Sequence, residues 1–211
     1  MTEPVTFYHS PNTRSSGTFT LLEELGVPYN LHQVNMKAGE NRQPAFLAIN
    51  PMGKVPAITH RGALITEQVA IFIYLADLYP EAGLAPALDS PLRGPYLRTM
   101  VFYGSSFEPA CVDKAMKREP GSLAMMPYGD FDTTLNTLVA HLRQGPYLLG
   151  ETFSAADILW GGALGWMTSF GIVPKLPEIM DYISRVTTRP AFTRVRDRDE
   201  AMQAEHVKAA A

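Results

Sequence analysis

The sequence predicts a small α/β domain followed by a wholly helical one. Strand and helix patterns alternate through the first eighty residues, prolines and glycines cluster from Pro80 to Pro95, and no strand signal recurs beyond them. Of the 211 residues, 46% are hydrophobic, enough to fill the core of one large domain or two small ones.

In chain order, Val5 to His9 is a short apolar run and reads as a strand. Thr13 to Leu25 carries apolar residues at helical spacing, and Gly26 followed by Pro28 supplies the stop. Tyr29 to Val34 alternates as a strand does, and Ala45 to Ile49 is one helical turn closed by Asn50-Pro51. Val55 to Thr59 and Ala63 to Thr66 are strand-like pieces around the turn His60-Arg61-Gly62-Ala63. The segment from Thr66 to Tyr79 closes the first domain as a helix. Its apolar residues Val69, Ile71, Phe72, Ile73 and Leu75 surround the axis, which predicts packing on both sides.

Pro80, Pro86, Pro91 and Pro95, with Gly83 and Gly94, mark a linker at 81–90 and a new helix start. Five helical segments follow: 97–117, 130–143, 154–170, 176–188 and 191–201. The predicted domains are therefore 1–80 and 91–211. Within the second, Ser154 can cap a helix while the Asp157 carboxylate returns to the Ser154 N–H, with Phe153 and Ile158 stapling across the start.

Composition excludes several functions. A net charge of -3 with scattered Lys and Arg provides no field to gather nucleic acid or anionic lipid. The first residues lack the pattern of a signal peptide, and no apolar run approaches the roughly 18 residues that span a bilayer. With one cysteine, Cys111, no internal disulfide can form, and a reducing cytoplasmic location is the expectation. The histidines His9, His32, His60, His141 and His206 lack metal-ligand spacing, so no metal is expected, and their ordinary role is a surface or strand position. The stretch YGSSFEP lacks the closing glycine of a nucleophile elbow, and no phosphate-binding glycine loop is present.

Four stretches in order, FYHSPNTRS, NPMGKVPAI, ITEQVAIFIYLADLYP and GPYLLGETFSAADILW, resemble the glutathione S-transferase family over nearly the whole chain. The layout is closest to the beta- and theta-like classes of the bacterial cytosolic type. The resemblance implies a thioredoxin-like domain that binds glutathione as co-substrate, an all-α domain that carries the electrophile pocket, and a homodimer with Met52 and the helix after Thr66 near the partner. It also implies that Pro56 is cis, which turns the Val55 N–H and C=O outward to pair with the peptide as an added strand. Lys54 would meet a carboxylate. The γ-glutamyl carboxylate would dock on Gln68 at the start of the helix that Thr66 caps, and Glu67 would hold the ammonium. Gln68 stands where the family usually has serine.

Free glutathione thiol resembles cysteine, with a pKa near ~8.5, so about 3% is thiolate at pH 7. Lowering that pKa by about 2 units takes about 2.7 kcal/mol of preference for the anion. A hydrogen bond to a charged group supplies about 1.5 to 3, and a helix N-terminus about 0.3 to 1. One hydroxyl and one helix end therefore suffice.

Alignment on the first strand puts Thr13 where several classes carry a catalytic serine. Asn12, Arg14 and Ser15 are alternative donors, and the ordinary role of Thr13 is a helix N-cap. Arg14 falls where related bacterial proteins often have cysteine, which argues against thiol–disulfide exchange. Tyr8 is a packed aromatic, and Ser10 supports the turn. Tyr103, Phe107, Tyr128 and Trp166 are candidates for an apolar pocket, although aromatics at such spacing more often form core. The expected reaction is thiolate attack on an apolar electrophile; peroxide reduction, isomerisation, dehalogenation and a non-catalytic binding module are the alternatives on the same fold.

Overall fold

The computed structural model describes residues 3–119 and 121–209. Met1-Thr2, read above for a targeting segment, and the last two alanines of the tail lie outside them. The chain divides into two compact units, one of residues up to Ala82 together with Arg189 onward, the other Gly83–Thr188.

The first unit is built on a four-stranded sheet: β1 (Val5–His9), β2 (Tyr29–Gln33), β3 (Ala57–His60) and β4 (Ala63–Ile65). The spatial order is β2-β1-β3-β4, with β1 parallel to β2 and antiparallel to β3, and β3 antiparallel to β4. Helices α1 (Ser15–Leu25), α2 (Pro44–Leu47), α3 (Gln68–Leu78) and, much later, α9 (Pro190–Ala209) complete it. Phe7 and Tyr8 are both buried because both faces of the sheet are covered. Phe7 packs on Phe19 of α1, while Tyr8 joins Val34, Phe46, Val55 and Ala57 on the opposite face. Helix α1 ends at Gly26, whose positive φ lets its N–H return to the Leu22 carbonyl. Four buried residues of α3, Ile71, Phe72, Leu75 and Ala76, follow helical spacing.

The second unit contains α4 (Arg93–Phe102), α5 (Glu108–Ala115), α6 (Phe131–Leu142), α7 (Ala155–Ser169) and α8 (Pro177–Thr187). Its core centres on Trp160, which is fully buried, contacts Tyr103 and Phe107, and donates its indole N–H to the Thr99 carbonyl. The capping box at Ser154 is present. Its Asp157 also accepts the Leu148 N–H and the Tyr182 hydroxyl, each at 2.9 Å. That sealed carboxylate fixes the start of α7, the preceding turn and α8 together.

Three expectations need correction. The helix expected over 97–117 is interrupted by a π turn at Tyr103–Phe107, where the Glu108 N–H reaches back to the Tyr103 carbonyl. The cause lies in Pro109, whose ring cannot sit against the carbonyl four residues earlier in a regular helix. The last helix runs to Ala209 rather than stopping near 201, and it packs on α1 in the first unit instead of joining the helical domain drawn as 91–211. The expected linker is likewise divided: Leu84 is buried in the second unit, and its carbonyl accepts the Ala155 N–H.

At Gly161 of α7 an added Cβ would stand 2.5 Å from Val186 Cγ1 on α8, so the two helices approach too closely for any side chain there. Gly161→Ala should cost about 1–3 kcal/mol, and combining it with Val186→Ala should relieve part of that loss. Urea unfolding midpoints of the single and double variants check this, and losses that simply add would contradict it.

Candidate functional site

Strand β1 delivers its last residue, His9, to the turn that starts α1. Phe7 and His9 share one face of the strand, so His9 is carried into the buried layer, where it is 0% exposed between the Phe7 and Phe19 rings. Its Nε2 lies 2.8 Å from Asp199 Oδ1 on α9, and its Nδ1 lies 2.8 Å from Ser15 Oγ. The other Asp199 oxygen accepts the Asn12 N–H at 3.0 Å and the Ser16 hydroxyl at 2.5 Å. Burial alone would push the Asp199 carboxyl up. The hydrogen bonds from His9 and Ser16, with the Asn12 N–H, more than offset it and hold the carboxyl below the ordinary aspartate range.

Asn12 occupies the left-handed region at φ 56°, a conformation asparagine tolerates, and this aims its N–H at the carboxylate. The next residue, Thr13, is half-buried. Its hydroxyl donates to the Ser10 carbonyl at 2.7 Å, lies 2.7 Å from Ser15 Oγ, and accepts the Ser15 N–H at 3.2 Å. Thr13 thus serves one of the first amides of α1 with a lone pair and keeps one proton to place. The residue at the formal N-cap is Arg14, which makes no side-chain cap. Of the alternative donors, Asn12 and Arg14 are exposed, whereas Ser15 is sealed at 0% and cannot touch a ligand directly.

The start of α3 lies beside this turn, because Gln68 Nε2 donates to the Arg14 carbonyl at 2.8 Å. An added Cβ at Gly17 would meet that same nitrogen at 2.9 Å, so the glycine leaves room for the amide. The Gln68 side chain is therefore turned to α1 and not to the end of its own helix. The cap expected from Thr66 also falls elsewhere: the N-cap is Glu67, with no side-chain bond and a positive φ of 65°. A non-glycine residue held there costs on the order of 1–3 kcal/mol and is found where a site over-determines it. The first intrahelical bond runs from the Ile71 N–H to the Glu67 carbonyl, leaving the N–H groups of Gln68, Val69 and Ala70 directed off the positive end.

The loop before β3 is pinned by two asparagines. Asn41 donates to the Gly53 carbonyl at 2.9 Å, and Asn50 donates to the Lys54 carbonyl at 2.8 Å. Gly53 has φ 60°, and a Cβ there would stand 2.7 Å from the Asn41 carbonyl oxygen. The Val55–Pro56 bond is cis, and ladder pairing of β3 begins at Ala57, so Val55 stands just outside the ladder. The Lys54 side chain is exposed.

The four candidate pocket aromatics do not share one lining. Tyr103 and Phe107 are core residues around Trp160. Tyr128 donates its hydroxyl to Asp113, and Trp166, half exposed, pairs with Phe170. Among the described residues no three His, Cys, Asp or Glu side chains gather as a metal site requires. The Cys111 thiol is buried, and burial, with Glu108 adding to it and Lys114 opposing, pushes its pKa up to about 12. That thiol is inert at neutral pH.

Reading histidines by metal spacing alone missed His9, and with it Asp199 and Ser16. The signal was local: a histidine two residues after Phe7 in a strand must share its buried face and needs polar partners there.

Two family models match, glutathione S-transferase N-terminal domain over residues 3–77 and glutathione S-transferase C-terminal domain over residues 128–197. A sphingomonad glutathione S-transferase solved in complex with glutathione is 31% identical, with 92% of this chain and 98% of that one covered at a TM-score of 0.75. The solved glutathione transferase of Methylococcus capsulatus strain Bath is 27% identical, covers 93% and 99% of the two chains, and has a TM-score of 0.78. Glutathione S-transferase 3 of Zea mays is 28% identical over 199 residues, spanning 82% of this chain and 84% of its own length.

Because Asp199 gives up its proton more readily in the folded chain, the unfolded chain takes that proton up first on acidification. The stabilisation is complete above the ordinary aspartate pKa of about 3.9 and is lost as pH falls through the lower folded value. Asp199→Asn should lower stability at pH 7, with the gap to the parent closing below about pH 4. Denaturant midpoints across pH 3 to 7 check this, and a constant gap would contradict it.

Proposed function

The chain belongs to the glutathione S-transferase family, and on that premise we propose that it activates the glutathione thiolate for attack on an apolar electrophile. The Thr13 hydroxyl at the positive end of α1 carries the reading. Its one proton is shared between two oxygens of the turn and can turn to a sulfur anion, while its lone pair continues to hold the Ser15 N–H. That bond and the helix end together meet the free-energy requirement for thiol ionisation.

The peptide is held by the rest of the first unit. Val55, outside the β3 ladder, pairs through its N–H and C=O with the glutathione backbone, and Lys54 meets a carboxylate. The γ-glutamyl carboxylate docks on the Gln68 N–H at the end of α3, the side-chain amide being engaged with Arg14, and Glu67 receives the ammonium. Relatives bearing bound glutathione support this reading. The lone, inert Cys111 favours conjugation over thiol–disulfide exchange. The active protein is a cytoplasmic homodimer that meets its partner through Met52, 67% exposed, and the outward side of α3.

The protein should bind immobilised glutathione and raise conjugation of a generic aryl halide above background; failure of both would leave a non-catalytic module as the better account. Thr13→Ala should lower the thiolate absorbance of bound glutathione at pH 7 and reduce kcat/KM by roughly tenfold to a hundredfold. Unchanged absorbance would move the role to Asn12 or Arg14.

A further inference from the structure

Four groups of the first unit stand in line. Asp199 Oδ1 is 2.8 Å from His9 Nε2, His9 Nδ1 is 2.8 Å from Ser15 Oγ, and Ser15 Oγ is 2.7 Å from Thr13 Oγ1. Each step is a hydrogen bond, and every member except Thr13 is almost completely buried. The carboxylate takes the Nε2–H, which leaves Nδ1 as the acceptor of the ring.

Protons and acceptors can be counted. Ser15 has one hydroxyl proton with Nδ1 at 2.8 Å and the Ser10 carbonyl at 3.0 Å in reach. Thr13 has one, with the same carbonyl and Ser15 Oγ each at 2.7 Å. Both protons therefore point inward while Nδ1 is bare. If Nδ1 carries a proton it donates to Ser15, whose own proton turns to Thr13, so the Thr13 proton is no longer needed by Ser15 and is left to the Ser10 carbonyl or to a ligand anion.

We propose that this chain is a proton relay that receives the proton of the glutathione thiol on His9. The inference rests on Thr13 being the thiolate donor. The thiol gives its proton to Thr13 Oγ1, Thr13 passes its own to Ser15 Oγ, and Ser15 passes its own to His9 Nδ1. One S–H bond is exchanged for one N–H bond, leaving a thiolate facing the Thr13 hydroxyl and an imidazolium facing Asp199. No proton enters the solvent in this step. When the electrophile's leaving group departs with its electron pair, sulfur is a thioether and no longer takes a proton; the imidazolium proton passes back through Ser15 and Thr13 to water, which restores the neutral ring. His9 and Ser15 are positioning residues, acting on sulfur only through Thr13.

The surroundings of His9 leave Asp199 as its direct ionic partner. Phe7 and Phe19 cover the ring, and the neighbour in register on β2 is the neutral Gln33. Arg198, from the same helix as Asp199, lies 4.3 Å from the Phe19 ring centre and is held by Glu23 and Tyr29. His32 is turned to Tyr8.

The test is a proton count on the full-length protein. Glutathione is added in weakly buffered solution with an indicator dye, thiolate is read by its ultraviolet absorbance, and the His9 ring nitrogens are followed by NMR. Thiolate should form with far less than one proton released per thiolate, and His9 Nδ1 should gain a hydrogen. S-Methylglutathione, which has no thiol proton, should bind and leave His9 as it was. His9→Gln keeps a donor toward Asp199 but has no titrating nitrogen; it should release one proton per thiolate and hold about fivefold less thiolate at pH 6.5, the effect there of raising a thiol pKa from about 6.5 by one unit. Full proton release by the parent protein with His9 unchanged would overturn the relay, and Thr13→Ala data would still stand for the donor. An unaltered thiolate in Thr13→Ala would instead remove the donor and the relay with it.

Discussion

A nearly sealed carboxylate joins the first strand, the first helix and the last helix. Asp199 is 4% exposed, and each of its oxygens has partners from the opening turn: His9 on one, the Asn12 N–H and the Ser16 hydroxyl on the other. A lone carboxylate at such depth would be strongly disfavoured as an anion; three donors make it favourable. The left-handed Asn12, the buried imidazole and the orientation of both hydroxyls beyond it follow from satisfying this one charge. The geometry of the turn between β1 and α1 is thus set from outside the turn.

The remaining parts of the site depend on similar arrangements of backbone. Glu67 stands at a strained φ so that α3 can begin with three free amides beside the turn, and Gln68 ties that beginning to Arg14. Two asparagines and a glycine that admits no side chain hold the loop that presents Val55. Few of these residues offer chemistry of their own. Most fix where amides and carbonyls point, as expected of a fold whose ligand supplies the reactive atom.

Most of the architecture was legible because it is written in periodicity and punctuation. The strands, the capping box of Ser154 and Asp157, and the glycine stop after Leu25 are local patterns with local causes. The four stretches that carry the family likeness were legible for the same reason, since each lies within a few consecutive residues. The return of α9 to the first unit was not legible: its contact with the turn spans 190 residues from His9 to Asp199, and the helix itself is too charged to announce a buried face. The sealed histidine was visible in principle from its spacing to Phe7. The orientation of Gln68 toward α1 was not, because it depends on how two helices meet.

That long separation has a consequence for the making of the protein. The strand, turn and first helix are made early, yet the carboxylate partner of His9 follows 190 residues later. Until then the imidazole, the Asn12 amide and the Ser16 hydroxyl have no carboxylate to meet, and the turn has no reason to hold its working shape. At a translation rate of roughly 5–20 residues per second, the nascent chain spends on the order of ten seconds or more with its sheet's sequence already made and the turn after β1 incomplete. The turn therefore takes its final shape only once Asp199 has been made and the 190-residue separation from His9 has been closed.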